Sequence, residues 1–328
     1  MPVFGIRKPE RGVVLRSGIY GITINIDGKV MIVKNRLGLF LPGGGSKPRE
    51  SHEETLKREF IEETGYDIKV GRRLETLSWY IDTPDYYFKQ VFNTGIFYEV
   101  ELKERVSTIV EENHEVLFID GEKATNLHSD AQMWAVYRYV LEKKYPRFAT
   151  SNEQNSEKRI YPLRLVARTI IAAEEDKIVL LKSADMDWYS IPGGGVMRGE
   201  DVRQAAIREA NGEAGYPISD LVPIGSCVEY STILQLSYYY AAKADGAAGK
   251  RHLTDMEADW GICPILVALD EAEALLQKNE GVLMHFGFDV SKMANRRNLA
   301  ALAAYRQALG GLKFRDHRES RNIPRKEK

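Results

Sequence analysis

Cysteine is nearly absent: the 328 residues contain two, Cys227 and Cys263, both in the second half, with neither the spacing of a zinc site nor the makings of a disulfide framework. That scarcity fits a reducing cytosol. Charge of one sign is lacking too, because 46 Lys and Arg against 47 Asp and Glu leave a formal net charge of −1. A chain that coats nucleic acid or membrane through its overall field is thereby excluded, and any phosphate binding must be local. Long apolar runs are missing as well. No uninterrupted stretch approaches about 18 residues, and the opening "MPVFGIRKPERGVVLRSGIYG" has no apolar core of signal-peptide length. A soluble cytoplasmic protein with no membrane partner is expected.

Hydrophobic residues make up 44% of the chain and charged residues 28%, enough to bury two cores, and a length well over about 150 residues suggests two domains. A repeat supports that count. "LPGGGSKPRESHEETLKREFIEETGY" over 41–66 returns, weakened, as "IPGGGVMRGEDVRQAAIREANGEAGY" over 191–216. Each copy follows a strand, a turn and a second strand: "IYGITIN", "IDG" and "KVMIVKN" in the first half, "RLVARTIIAA", "EED" and "KIVLLK" in the second. Further strands are predicted in "RLETLSWYI", "VFNTGIFYEVEL", "GSCVEY" and "LQLSYYYAAK". Each half closes on helical patterns, "HSDAQMWAVYRYVLEKK" and then "LDEAEALLQKN" with "SKMANRRNLAALAAYRQAL". The chain reads as an internal duplication, with domains at 1–150 and 161–312, a polar linker at 151–160 and a charged, solvated tail at 313–328.

Ser51 followed by Glu54 forms a capping box, and Gly65 suits the left-handed position past a helix end, so a helix is predicted over 52–64. At about 100° per residue Leu56 and Phe60 define its apolar stripe, while Glu59, Glu62 and Glu63 cluster on an adjoining face. Glu63 lies nearly on the azimuth of Leu56, at the edge of the buried stripe, where desolvation and two like charges make its ionised form costly. Arg58 is one cation against four acids, counting Glu50. Either the helix face is a solvated surface, or a divalent metal makes up the difference, in which case oxygen ligands point to Mg²⁺ or Mn²⁺ rather than zinc. The "PGGG" ahead of the helix allows close backbone approach to a ligand, although tight turns use glycine for steric reasons alone.

These residues resemble the signature of the Nudix hydrolases: Gly, five residues, Glu, seven residues, Arg-Glu, an apolar residue, any residue, Glu-Glu, any residue, Gly, an apolar residue. Gly44, Glu50, Arg58, Glu59, Phe60, Glu62, Glu63, Gly65 and Tyr66 meet it at each constrained position. The resemblance implies two tandem α/β/α sandwiches with mixed β-sheet, and Mg²⁺-dependent hydrolysis of a pyrophosphate bond in a nucleoside diphosphate-linked compound such as a nucleoside triphosphate. It implies that Glu59, Glu62 and Glu63 ligate metal, that Arg58 holds them, and that Gly43, Gly44 and Gly45 form the phosphate-side loop. A general base from outside the box is assigned to Glu115 in "EENHEVLFID", with Glu111 and Glu112 as competitors.

In the second box, over 194–216, Gly194, Glu200, Arg208, Glu209, Glu213, Gly215 and Tyr216 persist, but Gly212 replaces the counterpart of Glu62 and Ala210 that of Phe60. Glycine inside a helix costs about 1 kcal/mol relative to alanine, so Gly212 does not serve helix formation. The second site, built on Glu200, Arg208, Glu209 and Glu213, is expected to be degenerate, and its domain to be structural or to shape the substrate pocket. The expected partner is a nucleotide-type small molecule, with no DNA, and the chain is expected to act as a monomeric pseudo-dimer or a homodimer. Trp79, Tyr80, Tyr86, Tyr87 and Phe88 are candidates to stack on a base, although such aromatics more often pack in sheet core or loops, and Tyr238, Tyr239 and Tyr240 are read as packing. Two other readings stay open: a non-catalytic nucleotide sensor, and a hydrolase of RNA 5′ ends aided by the basic tail.

Overall fold

The capping signals form the helix they predict. In the computed structural model, which describes residues 2–82, 88–108, 111–152, 160–174, 176–184, 188–197, 199–279, 284–285 and 288–309, α1 spans His52–Thr64. The Ser51 hydroxyl accepts from the Glu54 amide, the Glu54 carboxylate accepts from the Ser51 amide, and Gly65 ends the helix at φ 77°. Leu56 and Phe60 point down into a core formed with Ile19, Met31, Ile68 and Val100. The tail expected at 313–328, Tyr86 and Tyr87 lie outside the described residues.

The chain divides into two compact units. The first comprises 1–166, 195–205 and 226–237. Its strands are β1 Val3–Phe4, β2 Gly12–Ile22, β3 Val30–Asn35, β4 Gly38–Phe40, β5 Gly43–Gly44, β6 Tyr66–Ile81, β7 Lys89–Arg105, β8 Glu115–Ile119, β9 Arg147–Asn152 and β10 Ile160–Tyr161, with helix α2 at Asp130–Val136. A mixed sheet runs in the order β10-β1-β6-β7-β2-β5, and a smaller one in the order β4-β3-β8. β2 lies parallel to β7, whereas β6 and β7 are antiparallel. The core side chains of α1 reach both sheets, Ile19, Ile68 and Val100 on the larger and Met31 on the smaller. On α2, the Trp134 ring lies 6.0 Å from that of Phe4 in β1. The segment read from its polarity as a linker begins and ends in strand: β9 runs parallel to residues 226–230, and β10 runs parallel to β1. Residues 153–159 between them are not described.

The second unit comprises 167–194, 206–225 and 238–328. It contains the greater part of β11 Leu163–Glu174, then β12 Lys177–Ser183, β13 Trp188–Ser190 and most of β14 Gly193–Gly195. Helix α3 Val202–Glu209 runs into a wider π-type turn over Ala210–Ala214 and stops at Gly215, φ 75°. Then come the first residues of β15 Val222–Tyr230, the later part of β16 Leu234–Lys243, α4 Asp255–Asp259, β17 Ile262–Ala268, α5 Leu269–Gln277 and α6 Val290–Leu309. β12 is flanked by antiparallel β13 and β17. Tyr238, Tyr239 and Tyr240 are all buried, which makes them packing residues. No described helix is long and apolar enough to cross a membrane. The mixed sheets and flanking helices in both halves give the α/β class expected from the duplication.

The two cores solve one volume problem in opposite ways. Gly21 donates to Pro42 O at 2.9 Å and Thr169 to Pro192 O at 3.0 Å, so the two occupy equivalent places in their strands. A Cβ on Gly21 would meet the Phe60 ring at 2.5 Å; in the second unit the counterpart of Phe60 is Ala210, and both Thr169 and Ala210 are buried. The bulk of Phe60 is thus absent from the second helix, and a larger side chain stands on the strand in place of Gly21. Phe60→Ala is expected to destabilise by about 3–5 kcal/mol, and Gly21→Thr to destabilise through the clash with the ring. In urea titrations the double variant is expected to lose at least about 1 kcal/mol less than the sum of the singles; simple additivity would refute the exchange.

Candidate active site

Arg58 organises one end of α1. It donates from Nε to Glu50 Oε1 (2.7 Å), from Nη1 to Glu59 Oε1 (2.8 Å) and Glu62 Oε2 (2.9 Å), and from Nη2 to Glu50 Oε2 (2.9 Å) and Gly45 O (2.9 Å). A guanidinium's planar fork suits this role, which a lysine's point charge could not fill. The bonds from Arg58 hold the Glu50 carboxyl down at about 2. Lys47 Nζ adds a partner 3.5 Å from Glu62 Oε1.

Glu63 faces the other way, toward the glycine loop, where its Oε2 accepts the Gly43 amide at 2.9 Å. Burial pushes its pKa up to about 8, aided by the charges of Glu59, Glu111 and Glu62 and opposed by the Gly43 bond. Burial also raises the pKa of Glu59, against the pull of Arg58. The glycines have local reasons to be where they are. Gly43 has φ 135° and a Cβ there would strike Ile19 O at 2.1 Å, while a Cβ on Gly44 would meet Glu59 Oε1 at 2.6 Å. The loop is therefore shaped by its approach to β2 and to Glu59.

Of the acids considered as base, Glu111 is the one brought beside the cluster. Its amide donates to Glu62 O at 2.8 Å, and its charge acts on both Glu59 and Glu63. Glu115 lies opposite Lys34 in β3 and ion-pairs with it at 3.0 Å with more than half its side chain exposed, so the fold does not bring it to Glu59 or Glu63. Two residues went unnoticed in the sequence. His114 has Nε2 3.9 Å from Glu63 Oε1 and Nδ1 3.4 Å from Glu111 Oε2. Tyr20 is half-buried, accepts from Asn93 Nδ2 at 3.2 Å, and its hydroxyl pKa is raised by loss of solvation, with Glu63 and Glu59 adding to the effect. A cavity of about 490 Å³ beside Gly44 and Gly45 is walled by Tyr20, Phe40, Trp79 and His128. Tyr80 points elsewhere and packs on Phe92 at 4.7 Å, and Phe88 is exposed.

An all-oxygen donor set with a buried, charge-crowded carboxyl suits a hard divalent cation such as Mg²⁺. Among the described residues no three His, Cys, Asp or Glu side chains converge on one point, because Glu59 and Glu62 turn to Arg58 and Glu63 to Gly43. Those contacts are rotamer choices of long side chains on one helix face, which rotation about χ angles rearranges.

The second box repeats the buried half of this arrangement. Glu213 Oε2 accepts the Gly193 amide at 2.7 Å, and burial lifts its pKa to about 8. Gly194 approaches Glu209 as Gly44 does Glu59, with a built Cβ 2.5 Å from Oε1. Arg208 Nη1 donates to Glu209 Oε1 at 2.6 Å, and Glu200 Oε2 accepts the Met197 amide at 2.9 Å. Two replacements distinguish it. Gly212 O accepts from the His252 amide at 2.9 Å, so His252 takes the backbone place of Glu111. Arg168 Cα lies against Gly193 as Tyr20 Cα lies against Gly43, which sets a buried guanidinium where the first site has a phenol, and its charge acts on Glu213. An alignment of the two repeats in the strand before the glycines, where the offset is 148 rather than 150, would have exposed that exchange.

A family model described as NUDIX domain matches the chain twice, over residues 14–143 and 162–283. Among solved structures the chain is similar to a NUDIX hydrolase from Nitrosomonas europaea at 17% identity, over 47% of this chain and 98% of that one, with a TM-score of 0.34. It is also similar to an ADP-ribose pyrophosphatase from Streptococcus suis (19% identity, 44% and 98% coverage, TM-score 0.30) and to the E. coli dihydroneopterin triphosphate pyrophosphohydrolase (13% identity, 38% and 95% coverage, TM-score 0.30). No curated protein matches the chain.

The raised pKa values of Glu63 and Glu213 set a pH dependence. Each shifts from 4.5 to about 8 on folding, so the folded state holds more protons across that window. Stability is therefore full below about 4.5 and falls as pH rises through about 8. In chelator, the thermal midpoint of the protein is expected to fall between pH 5 and pH 9, and Glu63→Gln, which keeps an acceptor for Gly43, to flatten part of that fall. An identical slope in the variant would count against a buried, protonated Glu63.

Proposed function

The chain belongs to the Nudix family of hydrolases, with two of its domains in tandem, and on that premise we propose that the first domain hydrolyses a pyrophosphate bond in a nucleoside diphosphate-linked compound, using Mg²⁺ or Mn²⁺. The observation that carries the proposal is the surplus of carboxylate around Arg58: one guanidinium binds Glu50, Glu59 and Glu62, which leaves Glu63 and Glu111 crowded against them.

Glu59, Glu62 and Glu63 would hold the metal, which when bound would supply positive charge beside the diphosphate and make water there more acidic. Arg58 restrains Glu59 and Glu62, so that their oxygens need no large reorganisation when substrate arrives. The loop Gly43, Gly44, Gly45 lets phosphate oxygens approach the backbone closely. The water is oriented and its proton taken by a carboxylate; we assign this role to Glu111 rather than Glu115, because Glu111 lies beside Glu62 and acts on Glu63 while Glu115 pairs with Lys34. The half-buried His114, between Glu63 and Glu111, positions that base.

The second domain is non-catalytic in this proposal. Loss of a carboxylate at Gly212, His252 in place of Glu111, and the Arg168 guanidinium acting on Glu213 support it, since a resident cation reduces the demand for a second one. The protein works in the cytoplasm as a monomeric pseudo-dimer or a homodimer.

The test is product identification after incubation with Mg²⁺ and a panel of nucleoside triphosphates, dinucleoside polyphosphates, nucleotide sugars and dinucleotide cofactors. Glu62→Gln is expected to lower turnover at least about a hundredfold, with Glu213→Gln near wild type. Loss with Glu213→Gln alone would move catalysis to the second domain, and a silent panel despite tight nucleotide binding would favour a sensor.

A further inference from the structure

Gln132, on α2, is 2% exposed, yet only half of its side-chain amide is engaged. Its Oε1 accepts the Leu41 amide at 3.0 Å. A backbone N–H can only donate, so that bond fixes which end of the side chain is oxygen. The other end, Nε2 with its two N–H donors, has no partner among the described residues. Donors at such depth are seldom left without an acceptor. Gln132 lines the 490 Å³ cavity beside Gly44 and Gly45, and that is where the missing acceptor belongs.

The group is fixed on both sides. Its own backbone amide donates to the hydroxyl oxygen of the Ser129 N-cap at 3.3 Å, and Ala131, Trp134, Ala135 and Val136 of the same helix are buried. Turning the side-chain amide over would set donor against donor at Leu41 and leave a buried N–H unmatched. Asn93, the other amide in the lining, is turned to Tyr20. The remaining wall is aromatic, with Phe40, Trp79 and His128, and the His128 ring lies 4.4 Å from that of Phe40. Such rings suit a flat ligand group. A free side-chain amide serves adenine with both of its ends, accepting from N6 and donating to N7. Gln132 has only the donating end to offer.

We propose that Gln132 is a specificity-determining residue of the first domain, whose Nε2 donates to the base of the nucleotide and selects an exocyclic oxo group over an amino group. The inference rests on the function proposed above and narrows it to nucleotides of oxo-bases. On the Watson–Crick and major-groove edges of adenine each ring acceptor is flanked by the 6-amino group, which would meet Nε2 donor to donor. Cytosine presents its 4-amino group in the same way. Hypoxanthine and uracil carry an acceptor oxygen at those positions.

The experiment measures binding first, by calorimetry on the full chain with methylene-bridged, non-hydrolysed analogues of the inosine, adenosine, uridine and cytidine 5′-triphosphates. It then measures kcat/KM on the parent triphosphates with Mg²⁺. Within whichever pair binds more tightly, inosine with adenosine or uridine with cytidine, wild type is expected to favour the oxo-base at least about fivefold in both readouts. Gln132→Met, which keeps the length of the side chain and loses its donors, is expected to bring the pair within about twofold by weakening the oxo-base alone, through KM. The wild-type comparison needs no substitution, so it stands even if that variant, which also deprives Leu41 of its acceptor, fails to fold. Equal binding of the pair in wild type overturns the inference, as does an equal loss on both members in Gln132→Met. Tighter binding of the oxo analogue without hydrolysis of any substrate would sink the enzymatic reading and leave Gln132 its role; hydrolysis without the preference would do the reverse, and failure of all four analogues to bind overturns both.

Discussion

The hydrogen bond from a glycine-loop amide to a buried glutamate is the contact on which the site depends. Gly43 to Glu63 at 2.9 Å recurs as Gly193 to Glu213 at 2.7 Å. Each bond ties the loop after the second strand to the last turns of the following helix. It places a carboxyl where burial drives its pKa to about 8, and it does so only because the glycine backbone passes so close to the preceding strand. An unpaired carboxylate at that depth would be too costly to hold. One amide offsets part of that cost and leaves the carboxyl easier to protonate than an exposed one.

Around that shared contact the two domains diverge. In the first, Arg58 gathers Glu50, Glu59 and Glu62, and a phenol, Tyr20, lies against the glycine. In the second, a carboxylate is gone at Gly212 and a guanidinium, Arg168, stands in the place of the phenol. Both changes lower the surplus of negative charge. The steric exchange runs beside the electrostatic one: Phe60 over Gly21 in one core, Ala210 and Thr169 in the equivalent places of the other. A core keeps its total volume when single positions change, so the second helix occupies the equivalent place with different side chains. Gly212 lies within the π-type turn over Ala210–Ala214.

Phe40, Trp79 and His128 from the first repeat and Val196 and Met197 from the second box line cavities of one compact unit.

Much of this was legible in the residue order. Ser51, Glu54 and Gly65 define α1 through local hydrogen bonds and a left-handed stop, and the 3.6-residue period puts Leu56 and Phe60 inside with Glu63 at their margin. Such features depend on neighbours within one turn, and the duplication made them visible twice. The polarity of residues 151–160 does not show that the described residues at either end are strand, because β9 and β10 are held by backbone pairing with residues 226–230 and with β1. Glu111 against Glu115 was undecidable in sequence, since four positions in a loop turn the side chain from the glutamates of α1 to Lys34 on β3. Tyr20 and Arg168 were hidden in ordinary strand patterns, and their bearing on the carboxylates arises from strands packed against a helix far along the chain. Short-range spacing in the residue order sets the duplication, the capped helix and the crowded carboxylates. Folding alone brings Glu111 to the glutamates of α1 and Arg168 to Glu213, because those are long-range proximities that no local period encodes.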